Sequence, residues 1–250
     1  MDNWIRCFRP APDAGAQLLC FPHAGGSASG YLPLSTAVAG AAEALVVQYP
    51  GRHDRIAEPF AERLGDVVRA VLPSLPASGG RPLILFGHSM GALLAFETAR
   101  RLAAEGREPA ALFVSGSEGP SLPRSARLPD PPSDDDLIGE MRLLSGTDEE
   151  LLTHPEILGL ALPPLRADYA MLSARIHVPG PPLHCPVVAL TGDSDPRVSV
   201  ERVQAWERET EGSFERHVLP GGHFFLGDHL PYVAELIAAH VPGRAARTGA

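Results

Sequence analysis

The sequence predicts an α/β fold, a mostly parallel sheet flanked by helices and built as one domain over residues 1–250. Two observations carry this. Short apolar runs bounded by Gly or Pro recur along the chain, too brief for helices and too continuous for strands with one wet face. Helical patterns fall between them, as right-handed βαβ crossovers require. The length, 250 residues with 44% hydrophobic content, is enough to bury one large core without covalent staples.

In chain order, strands are expected at Gln17 to Phe21, Ala44 to Tyr49, Leu83 to Phe86, Ala111 to Ser115, Val187 to Thr191 and Glu215 to Leu219. Helices are expected around Ala61 to Leu75, Met90 to Ala104, Val200 to Glu209 and Pro231 to His240. Gly106 stands where a helix C-cap belongs, with Pro109 just beyond it. The alternation breaks between Gly116 and Cys185, a stretch too long for an ordinary connection. Its apolar content, including Leu137, Met141, Leu144, Leu152 and Tyr169, predicts a helical lid over 116–182 rather than a disordered loop. Within it, Ser133 to Asp136 and Thr147 to Glu150 read as capping boxes, and Pro155 and Pro164 as first-turn prolines. Residues 242–250 carry no pattern and read as a frayed tail.

Composition narrows the chemistry. All 21 basic residues are arginine, which removes Schiff-base chemistry, lysine-anchored pyridoxal phosphate and the phosphate-loop lysine. A formal net charge of −9 argues against a general binder of nucleic acid. No secretory leader and no apolar run of membrane-spanning length is visible, so a cytoplasmic protein is expected, acting as a monomer. Cys7, Cys20 and Cys185 are odd in number and read as small buried hydrophobes. No metal-ligand spacing is present, so neither metal nor cofactor is expected.

Gly87-His88-Ser89-Met90-Gly91 follows an apolar strand and opens an Ala/Leu-rich helix, the context of a nucleophile elbow and hence of the α/β-hydrolase fold. A serine that merely capped the helix would not need glycine on both sides. The base expected for Ser89 is His223, in the loop after the last strand, where an imidazole can swing back over the carboxyl edge of the sheet. The loop Gly192 to Pro196 offers two carboxylates to orient it. Asp195 is preferred, because Asp193, directly after Gly192, is placed to satisfy its own turn. The resulting order Ser, Asp, His is that of the α/β-hydrolases. The glycine-rich loop Phe21 to Gly26 is expected to lend the Ala24 N–H to an oxyanion, with Met90 N–H as second donor.

The motifs Phe21-Pro-His-Ala-Gly-Gly-Ser27, Gln48-Tyr-Pro-Gly-Arg52, Gly87 to Gly91 with Phe96-Glu97, Thr191 to Pro196 and Pro220 to Phe225 together resemble the stand-alone type II thioesterases of polyketide synthases and nonribosomal peptide synthetases. The resemblance spans nearly the whole chain. It implies Ser89, Asp195 and His223 as triad, Ala24 and Met90 as oxyanion donors, a mobile lid, and a carrier protein bearing acyl-phosphopantetheine as partner. It also lends much of the weight to Asp195 over Asp193. The implied role is editing, the release of unproductive acyl groups. Within the lid, Met141, Leu144 and Tyr169 are expected to line an acyl chamber. Arg52, Arg55, Arg124 and Arg127 could attract an acidic carrier, although each alone reads as ordinary solvated surface. Competing readings are a small-molecule carboxylesterase or lipase, and a hydrolase-fold binding protein that has lost activity.

Overall fold

A computed structural model describes residues 3–75, 80–123, 128–144 and 149–243. Arg124 and Arg127, Thr147 and Asp148 of the second capping pattern, and 244–250 of the tail lie outside the described residues.

Seven strands form one sheet: β1 (Ile5–Arg6), β2 (Ala16–Phe21), β3 (Ala42–Val47), β4 (Leu83–His88), β5 (Ala111–Ser115), β6 (Val187–Gly192) and β7 (Phe214–Leu219). Their order is β1-β3-β2-β4-β5-β6-β7, with β1 antiparallel to β3 and every other pairing parallel. The six expected strands are all present, with ends shifted by two residues at most. β1 escapes the sequence because two residues carry no periodicity.

Burial on both faces explains the unbroken apolar runs. One set of alternating side chains, including Leu19, Phe21, Leu45, Leu85, Leu112 and Val187, packs under α2 (Leu64–Val71) and α3 (Met90–Ala104). The other, including Leu18, Cys20, Val46, Phe86, Phe113 and Leu190, packs under α1 (Leu32–Val38) and, after β7, the C-terminal helix Leu230–Ala239. In α2 the buried residues are Leu64, Val67, Val68 and Val71, a single apolar stripe at helical spacing. Each such side chain, when fully withdrawn from water, contributes about 1.5–3 kcal/mol. The helix α1 was not expected; it is short, and Pro33 sits in its first turn. Of the cysteines, Cys20 and Cys185 are buried as expected, whereas Cys7 is exposed.

Between β5 and β6 lie α4 (Asp134–Leu144) and α5 (Pro155–Ser173). The capping box at the head of α4 is formed. Asp136 N–H donates to Ser133 Oγ at 3.1 Å, and the Asp136 carboxylate accepts from Ser133 N at 2.9 Å. Leu137, Leu162 and Leu165 make a small core between the two helices, joined by partly buried Ile138, Met141, Leu158 and Tyr169. Pro155 opens α5 as expected, but Pro164 does not begin a helix: with Pro163 it lies inside α5. An interior proline costs about 3 kcal/mol. Buried Leu162, Leu165, Met171 and Leu172 together outweigh that local preference.

The parallel register brings the carboxyl ends of five strands to one edge. Phe21 pairs with Gly87, His88 with Ser115, and Gly192 with Leu219. The loops carrying Ala24, Ser89, Gly116, Asp195 and His223 therefore leave the sheet side by side. β2 and β4 flank the point where strand order reverses, the place where open α/β sheets bind ligands. α6 (Val200–Val203) and a following 3-10 turn occupy the expected helix near 200–209, and the C-terminal helix is α7.

Candidate active site

Ser89 has φ 55° and ψ −117°, backbone angles that L-residues with a side chain rarely adopt. The strain is held by its surroundings. Ser89 N–H donates to Ser115 O at 2.8 Å, and its carbonyl accepts from Ala92 N–H at 3.0 Å, starting α3. A Cβ on Gly87 would lie 2.0 Å from Gly91 O, and one on Gly91 would lie 1.9 Å from Phe21 O. The two glycines are thus dictated by backbone passing backbone, which places Ser89 at the strand–helix junction.

His223 follows β7 and Asp195 follows β6, and their side chains meet: His223 Nδ1 lies 2.7 Å from Asp195 Oδ2, both shielded from solvent. The other oxygen, Oδ1, accepts from Arg197 N–H at 2.8 Å and Val198 N–H at 3.1 Å. The carboxylate is therefore fixed by its own loop before it meets the ring. Asp193 has other partners. Its Oδ1 accepts from Ser194 Oγ at 2.7 Å and Gly221 N–H at 3.0 Å, bonds that hold its carboxyl below the usual range. Asp193 ties the two loops together and leaves Asp195 to the histidine.

Ser89 and His223 line one cavity of about 110 Å3 with Ala24, Met90, Leu144 and Tyr169. No Ser89 Oγ to His223 hydrogen bond is formed among the described residues. Met141 is not on the wall of this cavity; it packs into the small core between α4 and α5. The Met90 N–H is the first of α3 and has no carbonyl of its own helix to meet. His88 lies beside His223, ring centroids 5.0 Å apart, with Nδ1 3.0 Å from Ser115 Oγ. Burial, and then the charges of His223 and His23, push the His88 pKa well down. Burial likewise pulls His23 to about 4, helped by His223 and Arg52.

Two features lay beyond the sequence reading. Glu140 of α4, Arg197 and Glu118 also line the cavity. Arg197 Nε donates to Glu140 Oε1 at 3.1 Å, Arg197 Nη2 bonds Glu140 Oε2, and Tyr169 Oη donates to Glu140 Oε1 at 3.0 Å. The insertion is thereby joined to the Asp195 loop. A carboxylate one turn from buried Leu137 was the only sequence signal. The arginines of the Gln48-to-Arg55 segment are the second feature. Arg52 and Arg55 are only 5% and 4% exposed, so neither is the solvated surface expected of them. Arg52 pairs with Asp168 of α5, and Arg55 donates to Gln48 O at 2.8 Å while its guanidinium stacks 4.3 Å from the Trp4 ring centre. Both are held inside because each finds carbonyl or carboxylate partners there.

A seven-stranded sheet of this order, a strained serine at the end of β4 and a buried Asp–His pair after β6 and β7 define an α/β-hydrolase. The chain belongs to the thioesterase family, whose Thioesterase domain matches residues 16–241. It is 44% identical to Thioesterase PikA5 of Streptomyces venezuelae over 241 residues, covering 95% of this chain and 85% of that one. Among solved structures it is similar to the type II thioesterase BorB of the borrelidin biosynthetic cluster, with 43% identity and TM-score 0.87 over 96% of this chain and 98% of BorB. It is also similar to YbtT, a type II thioesterase of the yersiniabactin pathway, with 31% identity and TM-score 0.86 over 96% and 99%. The chain is thus an enzyme acting on thioesters. No helix among the described residues is long and apolar enough to cross a membrane.

Proposed function

We propose that this enzyme removes acyl groups from the phosphopantetheine arm of acyl or peptidyl carrier proteins, freeing polyketide or nonribosomal peptide assembly lines from unproductive acyl groups. The observation that carries the hydrolytic step is that His223, paired with buried Asp195, lines the same cavity as strained Ser89. His223 takes the Ser89 proton as Oγ attacks the thioester carbonyl carbon. The oxyanion so formed is received by the N–H groups of Ala24 and Met90. Collapse breaks the C–S bond and expels the thiolate, an easily displaced group that asks little of the general acid. The departing sulfur carries off the proton taken from Ser89 as the thiol, which leaves His223 neutral; the ring then deprotonates water as it attacks the acyl-enzyme carbonyl and returns the proton to Ser89 Oγ, so that the carboxylic acid is released.

The helices of 116–182 act in this reading as a lid within the single domain. They stand over a cavity of about 110 Å3 lined by Ser89, His223, Leu144 and Tyr169, the space this reading gives to the acyl group. Kinetics measured side by side on acyl-carrier protein, an acyl-coenzyme A mimic and nitrophenyl esters test the proposal. A higher kcat/KM on the carrier thioester supports it, and a clear preference for oxoesters returns the enzyme to the small-molecule carboxylesterases.

A further inference from the structure

The loop bearing Ala24 is held from two sides. From the sheet side, Tyr31 Oη donates to Phe21 O at 3.3 Å, Tyr49 Oη donates to Pro22 O at 3.0 Å, and Gln48 Oε1 accepts from Ala28 N–H at 3.0 Å. The turn closes on itself through Gly26 N–H to His23 O at 2.9 Å. The other side is α5. Asp168 Oδ2 accepts from Gly25 N–H at 2.8 Å and from Arg52 Nη1 at 2.6 Å, while Oδ1 accepts from Arg52 Nη2 at 2.8 Å. Arg52 Nη1 also reaches Gly26 O at 3.3 Å. Amid these bonds the Ala24 N–H meets no acceptor among the described residues.

We propose that Arg52 and Asp168 are positioning residues that aim the Ala24 N–H, so that α5 of the insertion, and not the sheet alone, completes the oxyanion hole. The proposal rests on the reading of Ala24 as an oxyanion donor. A peptide unit is planar, so holding the Gly25 N–H fixes the plane that begins at Ala24. Only the two backbone torsions of Ala24 then separate that plane from the Ala24 N–H. The carboxylate alone would be a poor brace, since a bare negative charge this close would oppose a developing oxyanion. Arg52 cancels that charge with a two-pronged bond. The pair therefore supplies directional hold without an opposing field. It also anchors α5 to the body of the protein.

Removing one partner strands a buried charge and can unfold the protein, so the decisive variant is the double replacement Arg52→Met with Asp168→Leu, which removes both charges and keeps volume. It is compared with wild type and with Arg52→Lys, which keeps the charge and loses the fork. Steady-state kinetics on a short acyl N-acetylcysteamine thioester are paired with inhibition by the matching trifluoromethyl ketone, whose adduct places an oxyanion in the hole. For the double variant the proposal expects kcat to fall about tenfold or more with KM within about twofold, and ketone affinity to weaken by the factor lost in kcat/KM. The midpoint of the pH–rate profile should stay in place, because His223 and Asp195 are untouched. A folded double variant with wild-type kcat, or one that loses kcat while keeping ketone affinity, overturns the proposal. If circular dichroism shows the double variant unfolded, Arg52→Lys decides on the same two readouts, with a severalfold loss in both expected and no loss in either contradicting. A crystal structure of the wild-type ketone adduct separates the two levels. An oxyanion that does not meet the Ala24 N–H removes the underlying reading, whereas one that meets it beside an unimpaired double variant removes only the role of the pair.

Discussion

Asp195 presents one carboxylate oxygen to His223 Nδ1 at 2.7 Å and gives the other to the backbone N–H groups of Arg197 and Val198. The same loop carries Asp193, whose carboxylate serves Gly221 and Ser194 instead. Replacing Asp195 by Asn puts an amide where the ring needs an acceptor, and kcat is expected to fall on the order of ten-thousandfold. Asp193→Asn should cost far less, since it only loosens the tie between two loops. Steady-state kinetics on both variants test the ranking, and the reverse order would move the orienting role to Asp193.

Ser89 combines the proposed nucleophilic hydroxyl with a strained backbone, and the two are separable. Ser89→Ala is expected to retain the strain, whereas Ser89→Gly relieves it and should be more stable than Ser89→Ala by about 1 kcal/mol. Urea denaturation of the two variants measures this. Equal stability would mean that the turn is not strained.

Much of this was legible in the sequence because it depends on local pattern. Strands buried on both faces write themselves as apolar runs, and α3 begins and ends where its glycines and apolar periodicity put it. Contacts between distant charged residues were not legible. Arg52 and Asp168 stand 116 positions apart, and a charged side chain is by default assigned to the surface. Only the three-dimensional pairing makes their burial tolerable. Pro164 of α5 was misplaced for a related reason: local propensity disfavours an interior proline, and packing overrides it.

Within the insertion, Leu144 and Tyr169 line the cavity while Met141 packs between helices. Leu144→Ala is therefore expected to change the ratio of kcat/KM for short and longer acyl thioesters, by roughly tenfold for a few methylenes. Met141→Ala should lower Tm and leave that ratio alone. A Met141 variant with shifted chain-length preference, or a folded Leu144 variant without one, would contradict this division.

Acid should destabilise the protein through its neutral histidines. In the unfolded chain His23 takes up a proton near its ordinary 6.5, but in the folded protein only at about 4. His88 is shifted in the same direction. The unfolded state thus binds more protons between these values, so stability is full above 6.5 and declines as pH falls toward 4, by at most about 1.4 kcal/mol per pH unit for each ring. Thermal unfolding between pH 7.5 and 4.5 checks this. His23→Gln should flatten the decline, and a wild-type Tm that rises on acidification would contradict the account.

In the proposed reaction Ser89 takes the acyl group from a carrier-bound thioester. The direct measurement is rapid-quench intact-mass spectrometry of the enzyme mixed with an acyl-phosphopantetheinyl carrier protein. The account predicts that the carrier loses the acyl mass, that the enzyme transiently gains it on the peptide containing Ser89, and that Ser89→Ala leaves the carrier acylated. Deacylation of the carrier at an undiminished rate by Ser89→Ala, or failure of the wild-type enzyme to deacylate the carrier at all, would contradict it.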